Sequence, residues 1–214
     1  MTTNSRKQRR QKHRFSISLN FQLPTPPLVL FVFALVGFYI ANDSLLILLL
    51  SLGFLVSALF YLNTFWLGFK EIVTKGINSL KLPANGAILI INAHSNSIST
   101  KIIDNLKQAN SVKVVANSFD VLPYENNAFD YVIVINTLHD IRPRIKKVKA
   151  LQEAARVVNQ KGHILLFERG LDGGQFRSFL KRAGFTDIQI ENNGSRGWWS
   201  GPWCPTYTIL GQKW

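Results

Sequence analysis

The sequence predicts an α/β protein in two parts: a pair of apolar N-terminal helices, then a mostly parallel sheet with crossover helices. Three observations carry this expectation. Residues 28–67 contain one ionisable carboxylate or amine, Asp43. From residue 87 onward, short apolar runs alternate with segments of helical periodicity. Arg6, Lys7, Arg9, Arg10, Lys12 and Arg14 crowd the sequence ahead of the first apolar segment.

The chain has 214 residues, room for one domain of roughly 100–150 residues and a modest appendage. Its single cysteine, Cys204, excludes a disulfide framework and a cysteine-rich zinc site. The net charge of +13 suits anionic lipid or nucleic acid equally. No recognisable nucleic-acid-binding motif follows the basic tail, so membrane lipid is the expected partner and nucleic acid is not.

The first part is expected as a tail over residues 1–23 and a transmembrane hairpin over residues 24–69. Residues 45–67 are long enough to cross a hydrocarbon core of ~30 Å at ~1.5 Å per residue. Residues 28–41 are shorter and need Pro24, Pro26 and Pro27 at the helix start to approach a span. Asn42-Asp43-Ser44 supplies the turn between them. A buried hairpin in a soluble protein is the alternative, but the remaining sequence is too short to surround so much apolar area. A cleaved signal peptide fits poorly, because a second, longer apolar segment follows the first. The basic tail sets the N-terminus in the cytoplasm, and two spans return the remainder there, giving a two-span protein of the cell membrane.

Residues 70–86 read as a linker and residues 87–214 as the α/β domain. Strands are expected at 87–92, 112–116, 131–136, 163–168, 187–190 and 207–210, with helices at 98–108, 146–159 and 175–183. Ligands of such sheets lie beyond the C-terminal strand ends, so residues 92–97, 117–122 and 136–140 should share one rim. His139 and Asp140 are the candidates for chemistry there, since histidine serves as a base near neutral pH. A helix-capping Asp140 beside a hydrogen-bonded His139 is the plainer alternative. Asn92, His94 and Asn96 stand before a helix start, where they can hold an anion or act as caps. His94, His139 and His163 have no matching acidic cluster, so no metal site is expected.

Ser118-Phe119-Asp120-Val121-Leu122-Pro123-Tyr124, Ala128-Phe129-Asp130-Tyr131-Val132 and Thr137-Leu138-His139-Asp140-Ile141 resemble class I S-adenosylmethionine-dependent methyltransferases of the type 11 group. Residues 150–158 and Lys161-Gly162-His163-Ile164-Leu165-Leu166 continue the resemblance. It implies a shortened Rossmann-like methyltransferase domain. It also implies S-adenosyl-L-methionine as cofactor, and methyl transfer to a small or lipophilic acceptor. By their place on the expected rim, Asn92, His94, Asn96, Ser118, Phe119, Asp120 and Asn136 would be the residues that bind this cofactor, with His139 and Asp140 the catalytic candidates. Read physically, Leu122-Pro123-Tyr124 is a loop with one fixed φ, Asp130 opens a strand and Gly162 eases a turn.

Two departures from the family stand out. Cofactor-binding members carry an acid and a glycine-rich turn after the first strand, whereas Asn92-Ala93-His94-Ser95-Asn96-Ser97 has neither. Members also have one more strand and helix before the Leu-Pro motif, ending in the acid that binds the ribose. Ser118 stands where an aspartate contacts adenine, and Asp120 can replace it only if its strand shifts into the missing one's place. A catalytically inactive, membrane-bound binding or regulatory module is therefore the alternative function. Trp198, Trp199 and Trp203, with Pro202, Pro205 and Tyr207, can lie on the membrane, roof a pocket or pack on the sheet edge.

Overall fold

The computed structural model describes residues 25–41, 44–80, 82, 85–92, 100–116 and 121–214. The basic tail, Asn42 and Asp43 lie outside them, as do His94, Asn96, Ser118, Phe119 and Asp120.

Helix α1 (Thr25–Ile40) and helix α2 (Leu45–Asn63) pack against each other, with Ser44 N–H donating to Ala41 O at 2.7 Å across the connection. Small residues permit the approach: a Cβ on Gly37 would overlap the Ser51 hydroxyl, which donates within its own helix to Ile47 O at 2.7 Å. Phe33 and Phe54 meet at 5.7 Å. Helix α2 continues through a π-helical turn (Thr64–Gly68) into α3 (Phe69–Ser79), making one 35-residue helix, Leu45–Ser79. Among the described residues this is the one helix long and apolar enough to cross a membrane. The 16 residues of α1 rise only about 24 Å, less than the ~30 Å hydrocarbon core.

The rod changes character along its length. In α2, Leu45, Leu46, Leu49 and Leu59 are all exposed, so apolar side chains face outward on every side. In α3 the apolar residues collapse to one stripe, Phe69, Ile72, Val73 and Ile77, buried against Ile88, Ile90, Ile133 and Phe167. Residues 70–79, expected within a linker, are therefore a helix of the domain core. Their polar side chains hid a stripe spaced i, i+3, i+4 and i+8. Gly76 lets the stripe close on the sheet, for a Cβ there would lie 2.5 Å from Phe167 Cζ.

Six strands form one sheet in the order β2-β1-β3-β4-β6-β5: β1 (Ala87–Asn92), β2 (Ser111–Ala116), β3 (Phe129–Ile135), β4 (Val158–Arg169), β5 (Phe185–Asn192) and β6 (Thr206–Lys213). β1, β2, β3 and β4 run parallel, and β6 is antiparallel to both β4 and β5. Helices α5 (Arg144–Val157) and α6 (Gly173–Arg182) cover one face, while α3 and α4 (Thr100–Ala109) cover the other. Coverage on both sides explains why β1 and β3 read as unbroken apolar runs. All six expected strands occur. β4 starts five residues early because Lys161 takes a left-handed φ of 64° and the chain turns within the strand. The role expected for Gly162 is shifted accordingly: it is small because a Cβ would lie 2.9 Å from both Asn159 O and Asp130 O.

The Leu-Pro loop is held from α5. Arg156 donates to Tyr124 O at 2.8 Å and Leu122 O at 3.1 Å, while Glu153 accepts from Leu122 N–H at 3.0 Å. The Arg156 hydrogen bond, with that of Leu122, holds the Glu153 carboxyl below its usual range against opposing burial. Arg156→Ala should therefore lower unfolding free energy by about 2 kcal/mol, the scale of lost hydrogen bonds to a charged group. A denaturant midpoint equal to wild type would remove this role.

His163 stacks on Tyr131 at 5.1 Å and 8°, and burial pushes its imidazole below the ordinary 6.5. The fold favours neutral His163 while the unfolded chain takes a proton near 6.5, so its contribution is whole above that pH and declines as pH falls below it. His163→Gln should flatten part of the fall in melting temperature between about pH 7 and about pH 5.5. An unchanged profile would contradict this linkage.

Candidate functional site

The C-terminal ends of β1, β3 and β4 meet at one rim. Asn92, the last residue of β1, pairs in register with Ile135, the last of β3. Asn136 then takes a left-handed φ of 47° and donates its N–H to Phe167 O at 2.7 Å. Its Oδ1 is buried without a hydrogen-bond partner among the described residues. The chain next folds into a 3₁₀ turn, Leu138–Asp140, whose first N–H groups need an acceptor.

Glu168 provides it. This fully buried carboxylate accepts the N–H groups of Thr137 (2.8 Å) and Leu138 (2.7 Å) through Oε1, and that of His139 (3.1 Å) through Oε2. Oε2 also lies 3.3 Å from His139 Nδ1. A carboxylate oxygen accepts, so a ring proton placed on Nδ1 would point at Glu168 and leave Nε2 as the acceptor nitrogen. Nε2 lies 2.9 Å from Asp140 Oδ1, yet in a direction that makes no hydrogen bond, and it is buried without one among the described residues. Tyr207, opposite Glu168 on β6, has a buried hydroxyl that also finds no hydrogen-bond partner among them. Burial, with the charges of Glu168 and Asp172, raises its pKa far above the ordinary 10.0 and keeps it neutral.

A chain of contacts runs from this rim to the apolar helix. Arg169 lies 3.5 Å from Asp140 Oδ1 and stacks its guanidinium over Trp199 at 5.0 Å. Trp199 is buried, donates to Thr206 Oγ1 at 3.0 Å, and packs on Tyr61 (5.3 Å) and Phe69 (5.7 Å). Trp198 O accepts from Thr64 Oγ1 at 2.6 Å, and its ring meets Phe60 at 5.2 Å. Trp198 and Trp199 thus join the sheet end to the helix. Trp203 is 63% exposed and lines a groove on α2 with Leu52 and Val56.

Four of the expected site residues, Asn92, Asn136, His139 and Asp140, share this rim. Glu168, Arg169 and Tyr207 join them without having been expected. The signal for Glu168 was a carboxylate closing the apolar run Leu165-Leu166-Phe167. β2 lies directly beside β1 at the sheet edge, with Ala116 opposite Asn92. His139 also lines a cleft of ≈ 720 Å³ between α5 and α6.

Residues 73–166 match the family described as methyltransferase domain. No curated protein matches the chain. Among solved structures, a chain in the complex of the Haloferax volcanii Trm112 methyltransferase activator with a methyltransferase is 10% identical with a TM-score of 0.51. The match covers 67% of this chain and 89% of that one. A sarcosine dimethylglycine methyltransferase from Galdieria sulphuraria is 13% identical, with a TM-score of 0.46 over 67% of this chain and 84% of that one. Phosphoethanolamine N-methyltransferase 2 from Haemonchus contortus, in complex with S-adenosyl-L-methionine, is 12% identical, with a TM-score of 0.49 over 75% and 57%. The sheet and its covering helices have the Rossmann-like fold of the methyltransferases.

Glu168→Gln should destabilise the fold by about 2 kcal/mol, because an amide turns one acceptor into a donor facing N–H groups. Amide exchange at residues 137–139 should accelerate with it. Unchanged exchange at those three positions would show that the carboxylate does not hold the turn.

Proposed function

We propose that the chain is a membrane-anchored, S-adenosylmethionine-dependent methyltransferase whose acceptor reaches the rim from the bilayer. The supporting observation is where the apolar helix leaves the domain. Ile72 lies close to Gly197 and Thr206, and Thr206 pairs with Arg169 at the C-terminal end of β4. Ile72 is five residues past Leu67, so a span ending there leaves the rim about 8 Å from the hydrocarbon, within the headgroup layer. In this reading α2 crosses the bilayer and α1 supplies the second pass, with the tail and the domain both cytoplasmic. The tail's cations would lie against anionic headgroups.

The described part of the rim fits the cofactor at one point. Asn136 Oδ1 is a buried acceptor without a partner among the described residues, suited to an amino group of the ligand, and Asn92 flanks it on the next strand. His94, Asn96, Ser118, Phe119 and Asp120 are proposed as further contacts. When bound, S-adenosylmethionine supplies a methyl group on a sulfonium, which an acceptor nucleophile takes while the thioether departs. His139 Nε2 would receive the proton the nucleophile loses. Glu168 and Asp140 would stabilise the resulting imidazolium from its two nitrogens. Arg169 would hold Asp140 in place.

The second reading is a non-catalytic module on the same fold. It is favoured by the sheet ending at β2 and by the lack of glycine and carboxylate in Asn92-Ala93-His94-Ser95-Asn96-Ser97. Calorimetric titration of S-adenosylmethionine and S-adenosylhomocysteine into the full-length protein in lipid nanodiscs separates the two. Micromolar binding is expected for the enzyme, with His139→Ala lowering turnover while binding persists. Silence at millimolar ligand would establish the module instead.

A further inference from the structure

We infer that the cleft between α5 and α6 binds the anionic headgroup of an amphiphile, a phosphate or carboxylate borne on an apolar tail. The cleft begins at His139 and has an apolar floor of Ile141, Leu151, Phe176 and Phe179. Its mouth carries Arg142, Arg144 and Arg182, all exposed and none in an ion pair among the described residues. A fourth cation, Lys147, binds Asp172 at 2.8 Å, and Asp172 is the sole carboxylate lining the cleft. The acid is thereby neutralised and the three arginines are left uncompensated.

The start of α5 points the same way. Arg144, Lys146 and Lys147 occupy its first turn, which has no acidic residue, whereas α6 has Asp172 at its N-cap position and carries Arg182 in its last turn. Cations at a helix N-terminus oppose the macrodipole, so this arrangement weakens α5 unless an anion joins it. Helix stability therefore does not explain Arg144 and Lys146, whereas anion binding does.

The apolar floor decides between a free anion and an amphiphile. From Val148 and Phe179 a second groove of ≈ 530 Å³ runs on between α5 and α6 to Ala155 and Ala183, flanked by Gln152, Arg156, Arg182 and Lys213. A small ion would leave the floor of the cleft wet, and a neutral lipid would leave the arginines unpaired. At the cleft's other end Leu171, 77% exposed, extends the apolar surface to the rim. The source of the ligand rests on the proposed membrane-facing rim. The binding chemistry rests on the cleft alone.

The test titrates three probes into the full-length protein in phosphatidylcholine nanodiscs: dihexanoyl phosphatidic acid, dihexanoyl phosphatidylcholine and inorganic phosphate. Phosphatidic acid should bind at least about tenfold more tightly than either of the others, and phosphate should compete with it. The double variant Arg144→Gln/Arg182→Gln should weaken phosphatidic acid about tenfold or more, and Arg144→Lys/Arg182→Lys should restore most of that loss. Equal binding of phosphatidic acid and phosphate would mean a free-anion site and overturn the amphiphile. Equal binding of the two lipids, wild-type affinity in the glutamine variant, or no phosphatidic acid binding at millimolar concentration would overturn the site. Each of these results is independent of whether S-adenosylmethionine binds, so failure here is distinct from failure of methyl transfer.

Discussion

One uninterrupted helix, Leu45–Ser79, joins the apolar segment to the sheet, and the rest of the architecture follows from its rigidity. Its first half is apolar on all sides and its second half along a single stripe, so the same rod suits lipid at one end and a protein core at the other. A flexible tether would let the domain tumble. Here the stripe of α3 and the clasp of Trp198 and Trp199 on Phe60, Tyr61 and Phe69 fix the angle between them. The end of the domain nearest the apolar helix is the one where the parallel strands terminate.

The second constraint is local. Ending β3 with a left-handed Asn136 and a short 3₁₀ turn exposes a row of N–H groups inside the protein, and one buried carboxylate answers them. Burying a charge is costly unless it is hydrogen-bonded, so Glu168 is tied to the turn as firmly as the turn is to Glu168. His139 inherits its orientation from this arrangement. The neighbouring cleft departs from the usual economy, since its cations oppose the dipole at the start of α5 for no gain in stability.

Much of this was legible in the sequence where burial leaves a one-dimensional trace. Strands covered on both faces must be apolar throughout, so β1, β3 and β4 showed as runs, and the rim residues Asn92, Asn136, His139 and Asp140 followed from where those runs stop. The stripe of α3 was present at helical spacing, but Lys70, Glu71, Thr74 and Lys75 gave the segment a linker's composition. The start of β4 was misplaced because the turn depends on a left-handed Lys161, a conformation that lysine does not advertise. Glu168, a carboxylate closing an apolar run, was missed as a site residue for a different reason. Its partners are about thirty residues away, and only the fold brings them together.

A rim that faces the bilayer, as proposed, places its residues at a depth that spin labels report. Nitroxides would be placed singly at Leu171, on the rim, and at Lys161, at the opposite end of β4, in a Cys204→Ser background reconstituted into liposomes. Power saturation should give the label at Leu171 the oxygen-rich, nickel-poor signature of the headgroup layer and the label at Lys161 that of bulk water. Equal exposure of both labels to aqueous nickel would contradict the account.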